Sequence, residues 1–329
     1  MPNQFWPDQG FGNRGTNVHQ SLHWNSNVYV KPYSGVDGNR GDTPYRARKS
    51  VTAALAIAQA SANARIQLMA ESNTGSHTTD YYTASLAYNA DGTHLIGVNS
   101  SPLYSQRSRI AAKSSLTTGF GPVVTMSANG CYWENIEVFY GLAAATASCG
   151  AILVSGDRNR FKNCHFAGIG HATADVATAY SLKLTGSENF FEDCVIGLDT
   201  IQRTAASAEI LFGFNTATGY GAARNVFRNC RIVAYGTTNH FFVSALAGTI
   251  DRDNTFENCT FINMPTGIAG NGTQMAQAFS MTTGSSPDGI ILCRNCTFVG
   301  VTASETTPAG RLYEAGSSRA VATAVPASS

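Results

Sequence analysis

Two of the eight cysteines in this 329-residue chain form the run Cys293-Arg-Asn-Cys296. Thiols at that spacing could hold zinc, act as a redox pair or close a disulfide. Carboxylates are the second chemical resource. Glycoside hydrolysis needs two of them at a controlled separation, and a lyase needs calcium-binding acids beside a basic group that removes a proton. Asp175 and Asp199 are the candidate pair, because they follow two successive copies of a repeat and could approach each other. No phosphate loop, HExxH or serine-hydrolase elbow occurs. Gly10-Phe-Gly-Asn-Arg-Gly15 is glycine-rich, but no strand pattern precedes it and no helix pattern follows.

The repeat decides how these groups are positioned. Asn159-Arg-Phe161-Lys-Asn163-Cys164-His-Phe166 returns as Asn189-Phe-Phe-Glu-Asp193-Cys194-Val-Ile196, Asn225-Val-Phe-Arg-Asn229-Cys230-Arg-Ile232 and Asn254-Thr-Phe-Glu-Asn258-Cys259-Thr-Phe261. A worn copy ends in Cys293-Arg-Asn295-Cys296-Thr-Phe298, and a degenerate one opens the series at Cys131-Tyr-Trp133-Glu-Asn135-Ile136-Glu-Val138. One strand-like phrase per repeat of this length marks a solenoid. Phe161, Cys164 and Phe166 cannot share one face of a flat strand, so a bend is expected at Asn163, with Asn in the left-handed region that it tolerates. Stacked copies then align Asn135, Asn163, Asp193, Asn229, Asn258 and Asn295 in one column, with amides bonding up it.

The same stacking puts Cys164, Cys194, Cys230, Cys259 and Cys296 in an inward ladder. Adjacent rungs stand about 4.8 Å apart and are poorly oriented for bridging. Cys293 stands where the other copies have Phe. The thiols therefore read as buried apolar side chains, and neither metal nor cofactor is expected. The column Glu134, Lys162, Glu192, Arg228, Glu257, Arg294 alternates in sign and reads as a solvated ion-pair ladder.

A second β-rich run precedes each phrase, as in Ala151–Val154, Ser181–Leu184, Glu209–Phe212 and His240–Val243. Upstream, Ala64–Met69, Gly92–Gly97 and Pro122–Met126 each read as one coil strand. Asn27-Val-Tyr-Val reads as an opening strand, and a helix is predicted at about Ala47–Ala62, with Val51, Ala54, Leu55, Ala58 and Ala62 on one face. This arrangement resembles the right-handed parallel β-helix of the pectin-lyase-like superfamily, most of all its phage virion members. The resemblance covers roughly residues 27–300. It implies an all-β, single-stranded solenoid in which the helix caps the N-terminal end, where a bare strand edge would invite aggregation. The superfamily holds lyases, hydrolases, phage tailspikes and inert structural proteins, so the resemblance implies fold more than function. Gly168-Ile-Gly-His171 resembles the Gly-His-Gly segment of polygalacturonase-like enzymes in the wrong order and without the paired aspartates.

The expected organisation is an extended arm at 1–26, opening strand and capping helix at 27–63, β-helix at 64–300 and an extended tail at 301–329. Formal net charge is +1 and charged residues are 13%. No basic stripe for nucleic acid is available, and no run reaches the ~18 apolar residues of a membrane span. The start, Met1-Pro-Asn-Gln-Phe-Trp-Pro-Asp, lacks the basic region and apolar core of a secretory leader. Synthesis in a host cytoplasm followed by incorporation into a virion is expected.

Phe5, Trp6, Phe11 and Trp24 lie among small polar residues in the arm and are the expected partner-binding anchors. The expected function is a non-enzymatic phage structural protein of capsid-decoration or head-fibre type, held by its arms to capsid or tail proteins and assembling with copies of itself, a trimer being one form. The alternative is a tailspike or tail-fibre subunit that binds or depolymerises a host glycan, as a polysaccharide lyase or glycoside hydrolase. Tyr81, Tyr82, Tyr88 and Tyr104 are the aromatics a glycan groove would draw on.

Overall fold

The computed structural model describes residues 26–60, 63–71, 78–99, 107–144, 146, 148–215, 219–236, 241–246, 248–264, 274–281, 289–305 and 311–320. The repeated phrase builds two strands and a corner. Arg160–Lys162 is one strand and His165–Ala167 the next. Between them Asn163 has φ 48°, and Asn135, Asp193, Asn229, Asn258 and Asn295 lie between 51° and 57°. The left-handed residue reverses side-chain parity, so Phe161, Cys164 and Phe166 all point inward and are at most 1% exposed.

The run preceding each phrase forms a third strand, as at Gly150–Val154 and Tyr180–Leu184. Stacked coils thereby produce three parallel sheets. Sheet A runs from Ser26–Val30 through Arg160–Lys162 to Leu312–Ala315. Sheet B runs from Thr79–Tyr82 through His165–Ala167 to Ser318–Ala320. Sheet C runs from Leu86–Tyr88 through Gly150–Val154 to Phe279–Met281. A second left-handed corner, not foreseen in the sequence, lies between sheets C and A at Arg158, Glu188 and Arg224, with φ 53–59°. Such backbone costs a non-glycine residue about 1–2 kcal/mol, and the contacts beside it must offset that.

Those contacts include a buried asparagine ladder. Asn159 and Asn189 take each preceding coil's backbone N–H at Oδ1, from Cys131 at 2.8 Å and from Asn159 at 3.0 Å. Asn225 and Asn254 continue the series at 2.9 and 3.2 Å. Their Nδ2 groups donate to Ala128, Gly156, Gly186 and Ala222 carbonyls. The expected ladder on the other column forms at Asn163 to Asn135 (2.6 Å) and Asn229 to Asp193 (3.3 Å). The continuous buried ladder is therefore the first Asn of each phrase and not the fifth residue, because only the C-to-A corner turns its side chain into the core.

Inside, Phe161, Phe191, Phe227 and Phe256 stack with centroids 4.8, 4.6 and 4.5 Å apart. Cys293 follows Phe256 in register. All eight cysteines are free and buried, as expected of a thiol ladder.

The capping helix α1 is Val51–Ala58, shorter than expected at its start because Arg48 pairs with Tyr29 and Lys31 as extended chain. Ser50 Oγ accepts the Ala53 N–H, and the buried Asp80 accepts the Val51 N–H at 2.7 Å. Val51, Ala54, Leu55 and Ala58 are buried as the face pattern requires. Ala62 lies outside the described residues.

The boundary expected at 300 is corrected. Leu312–Ala315 pairs with Ile290–Arg294, and Ser318–Ala320 with Thr297–Val299. Gly316, with φ 66°, replaces the corner Asn of this coil and Ser317 replaces its Cys. The phrase is therefore unrecognisable in sequence while the backbone path is kept.

Candidate functional site

A solenoid exposes one outward column per strand position, so a site must be assembled from residues one coil apart. On sheet C the outward register runs Thr125, Leu153, Lys183, Leu211, and two residues earlier on the same face stand Ser181 and the buried Glu209.

Sheet A carries the alternating-sign column in the expected register. Arg228 pairs with Glu257 at 2.8 Å. Glu192 is taken by Arg160 at 2.6 Å and not by its direct neighbour Lys162. The reason is a second column: the Phe190 ring lies between the Arg160 and Arg228 guanidinium groups, 5.4 and 5.1 Å from its centroid, and that stacking holds Arg160 within reach of Glu192.

Sheet B carries the densest chemistry, and it went unforeseen. Its outward column reads Arg109, Glu137, His165, Val195, Arg231. Glu137 is 1% exposed and receives Arg109 Nε at 2.6 Å and Arg107 Nη1 at 3.2 Å. His165 is 3% exposed, its Nε2 lies 3.0 Å from the Gly197 carbonyl, and its Nδ1 is 3.6 Å from Glu137 Oε1. Burial pushes the His165 imidazole below its usual range, outweighing the pull of Glu137. A cleft of about 250 Å³ opens over this column, walled by Leu198, Asp199 and Thr200.

Behind Gly197 lies a buried polar knot. Glu209 accepts Ser181 Oγ at 2.5 Å and is paired with Arg203. Both charged side chains are at most 1% exposed. Burial raises Glu209 to about 7, against the lowering effect of Arg203. A Cβ on Gly197 would stand 2.6 Å from the Glu209 carboxyl, so only glycine fits there.

No protein-family model and no curated protein matches the sequence. Solved structures do match. Pectin methylesterase PemA from Erwinia chrysanthemi superposes with TM-score 0.59 at 17% identity, over 93% of this chain and 92% of that one. A rhamnogalacturonan lyase gives 0.56 at 14% identity, over 83% and 68%. The pectin methylesterase of Aspergillus niger gives 0.50 at 17% identity, over 91% and 87%. The chain is a right-handed parallel β-helix. At these identities the likeness is one of fold.

Within the β-helix the two carboxylates singled out from sequence have separate tasks. Asp175 braces the loop between sheets B and C, accepting the Thr204 and Ala205 N–H groups at 2.6 and 3.0 Å and the Ser207 hydroxyl at 3.2 Å. Asp199 walls the sheet B cleft. Tyr88 is fully buried, and Tyr82 hydrogen-bonds Asp80. Tyr81 is 46% exposed. Phe5, Trp6, Phe11, Trp24 and Tyr104 lie outside the described residues.

Glu137 could be found in sequence only by aligning the degenerate copy, where Glu137 stands in the place of His165. Among the described residues no group of three or more His, Cys, Asp or Glu is arranged to hold a metal ion.

Proposed function

We propose that this β-helix is a non-catalytic structural protein of a phage particle, a rigid rod of capsid-decoration or head-fibre type fastened through its terminal arms. One observation carries the non-catalytic part. Four glutamates on the outward faces are already engaged: Glu137 by two arginines, Glu192 by Arg160, Glu257 by Arg228, and Glu188 by Arg158 and Arg224. Asp175 is held by loop N–H groups. Acid–base hydrolysis needs a carboxylate pair free to exchange protons with substrate, and these groups are committed to holding coils in register. The attachment part rests on four large aromatics, Phe5, Trp6, Phe11 and Trp24, in a weakly charged segment ahead of the first strand. Partners of this kind are capsid or tail proteins and further copies of the chain.

The test has two arms. Removing residues 1–24 should leave the rod folded and abolish its incorporation into particles. The purified protein should release no oligosaccharide from host envelope or capsular polysaccharide.

A polysaccharide-cleaving spike is the second reading, favoured by the cleft that places Asp199 near Glu137 and His165 on one sheet face. The superposed enzymes are named for pectin and rhamnogalacturonan. Saturable cleavage that disappears on replacing Asp199 or Asp175 would establish that reading and overturn the first.

A further inference from the structure

We propose that the turn at residues 40–46, at the helix-capped end of the rod, docks an acidic segment of a partner protein, with Tyr45 as the apolar anchor. The turn is built onto the free edge of the first strand. The Gly41 carbonyl accepts the Tyr29 N–H at 2.7 Å, and the Arg46 carbonyl accepts the Gly41 N–H at 2.8 Å. Arg48 then pairs with Tyr29 and Lys31. Gly41 has φ 75°, and a Cβ there would stand 2.9 Å from Val28 Cγ1, so the turn lies close against the strand. Its shape is therefore fixed before any partner arrives. Tyr45, at its tip, is 97% exposed. Folding gains nothing from a tyrosine ring held wholly in water, whereas a rigid aromatic flanked by arginines has the composition of an interface anchor.

Charge narrows the partner. Residues 31–63 hold Lys31, Arg40, Arg46, Arg48 and Lys49 against Asp37 and Asp42, in a chain with 22 basic and 21 acidic residues. The nearby acids are already occupied. Asp37 accepts the Lys49 and Ser50 N–H groups at 2.9 and 2.8 Å. Glu71 accepts those of Tyr33 and Ser34, both at 2.9 Å. Asp80 is buried at the start of α1. Asp42 lies between two guanidinium groups, 2.9 Å from Arg46 Nη2 and 3.6 Å from Arg40 Nε. Each arginine is more than half exposed and has N–H donors beyond those that Asp42 takes, in the fork geometry that suits a carboxylate. A second copy of the chain does not complement this end, because the closing coil at 311–320 carries Arg311 and Arg319 against Glu314. A nucleic acid does not either. The register columns that lead away along sheet A run Asn27, Arg65, His94 and Tyr29, Gln67, Ile96, so a long polyanion meets one arginine and no basic stripe. A short acidic segment with an apolar residue to cover the Tyr45 ring matches what is exposed. The binding requires neither the arm nor the particle role proposed above.

The test is fluorescence anisotropy of a labelled random copolymer of glutamate and tyrosine titrated with the full chain, with duplex DNA and phosphatidylserine vesicles as competitors. The copolymer should bind saturably at about 0.1 M salt and weaken as salt is raised. Tyr45→Ala should weaken it at least about tenfold. Arg40→Ala should weaken it about tenfold, as loss of a hydrogen bond to a charged group does. Lys183→Ala removes the same charge from the outward face of sheet C and should change nothing. Tyr45→Ala should keep the wild-type melting temperature, because its ring is exposed, so that a loss of binding is not a loss of fold. The proposal is overturned if the copolymer does not bind, if binding is unaltered in Tyr45→Ala or in Arg40→Ala, or if it falls equally in Lys183→Ala. It is also overturned if Tyr45→Ala lowers the melting temperature, or if DNA or the vesicles displace the label more strongly than unlabelled copolymer does.

Discussion

Asn225 and Asn254 are joined twice across neighbouring coils. Oδ1 of Asn254 accepts both the Asn225 backbone N–H, at 3.2 Å, and Asn225 Nδ2, at 2.9 Å. Asn225 in turn serves the coil before it, taking the Asn189 N–H and donating to the Gly186 carbonyl. Asn225→Ala strands at least two buried backbone groups and should cost about 2–4 kcal/mol. Urea unfolding measures this, and a loss below about 1 kcal/mol would show that water replaces the amide.

Phe191 is stacked on both faces, by Phe161 at 4.8 Å and Phe227 at 4.6 Å. Phe191→Ala opens a cavity that the flanking rings cannot close without leaving their own strands. The expected loss is about 3–5 kcal/mol, with a smaller loss for Phe191→Leu. Equal losses for the two variants would argue against a packed ring stack.

Glu209 should make stability fall as pH rises from about 4.5 to about 7, while His94 and His165, both lowered by burial, make it rise up to about pH 6.5. The sign follows from Glu209, which burial raises from 4.5 to about 7 in the fold. A raised carboxyl binds its proton more tightly when folded, so its contribution is full below the unfolded value and is lost through the folded one. The contribution is on the order of 3 kcal/mol. Asp80, raised from 3.8 to about 6 by burial at the start of α1, acts in the same direction. The melting temperature of the wild type relative to Glu209→Gln should decline across pH 4–8. Glu209→Gln carries the neutral form at every pH, so it should match the wild type near pH 4 and should not share the part of the decline that Glu209 contributes toward pH 7. An unchanged slope in that variant would remove Glu209 from the account.

Thiol reagents should label the native protein slowly. Cys164, Cys194, Cys230 and Cys259 are 1% exposed, and burial pushes the Cys164 and Cys230 thiols well above their usual range. All eight should react within the mixing time in denaturant. Rapid native labelling of the four would be incompatible with an inward ladder.

The solenoid was legible because its determinants are local and repeated. A Phe, a corner Asn and a Cys at fixed offsets define an inward face wherever they occur, and the left-handed φ at Asn135, Asn163, Asp193, Asn229, Asn258 and Asn295 follows from that parity argument alone. The start of α1 was less legible. Ala47–Ser50 has helical neighbours in sequence, but Arg48 is claimed by Tyr29 and Lys31.

The sheet B site obeys a different logic. Arg109, Glu137, His165, Val195 and Arg231 differ from coil to coil, so no repeat announces them, and they become neighbours only through strand register. Asp175 and Asp199 lie in the B-to-C loops of successive coils, where Asp175 is bonded to the backbone of the next loop and Asp199 walls the cleft. The sequence by itself determined the coil, its corners and its apolar columns, since periodic burial needs no knowledge of loop paths. Tertiary structure alone decided which asparagines turn inward, which carboxylates are neutralised and where a cleft remains, because each depends on contacts between residues a full coil or more apart.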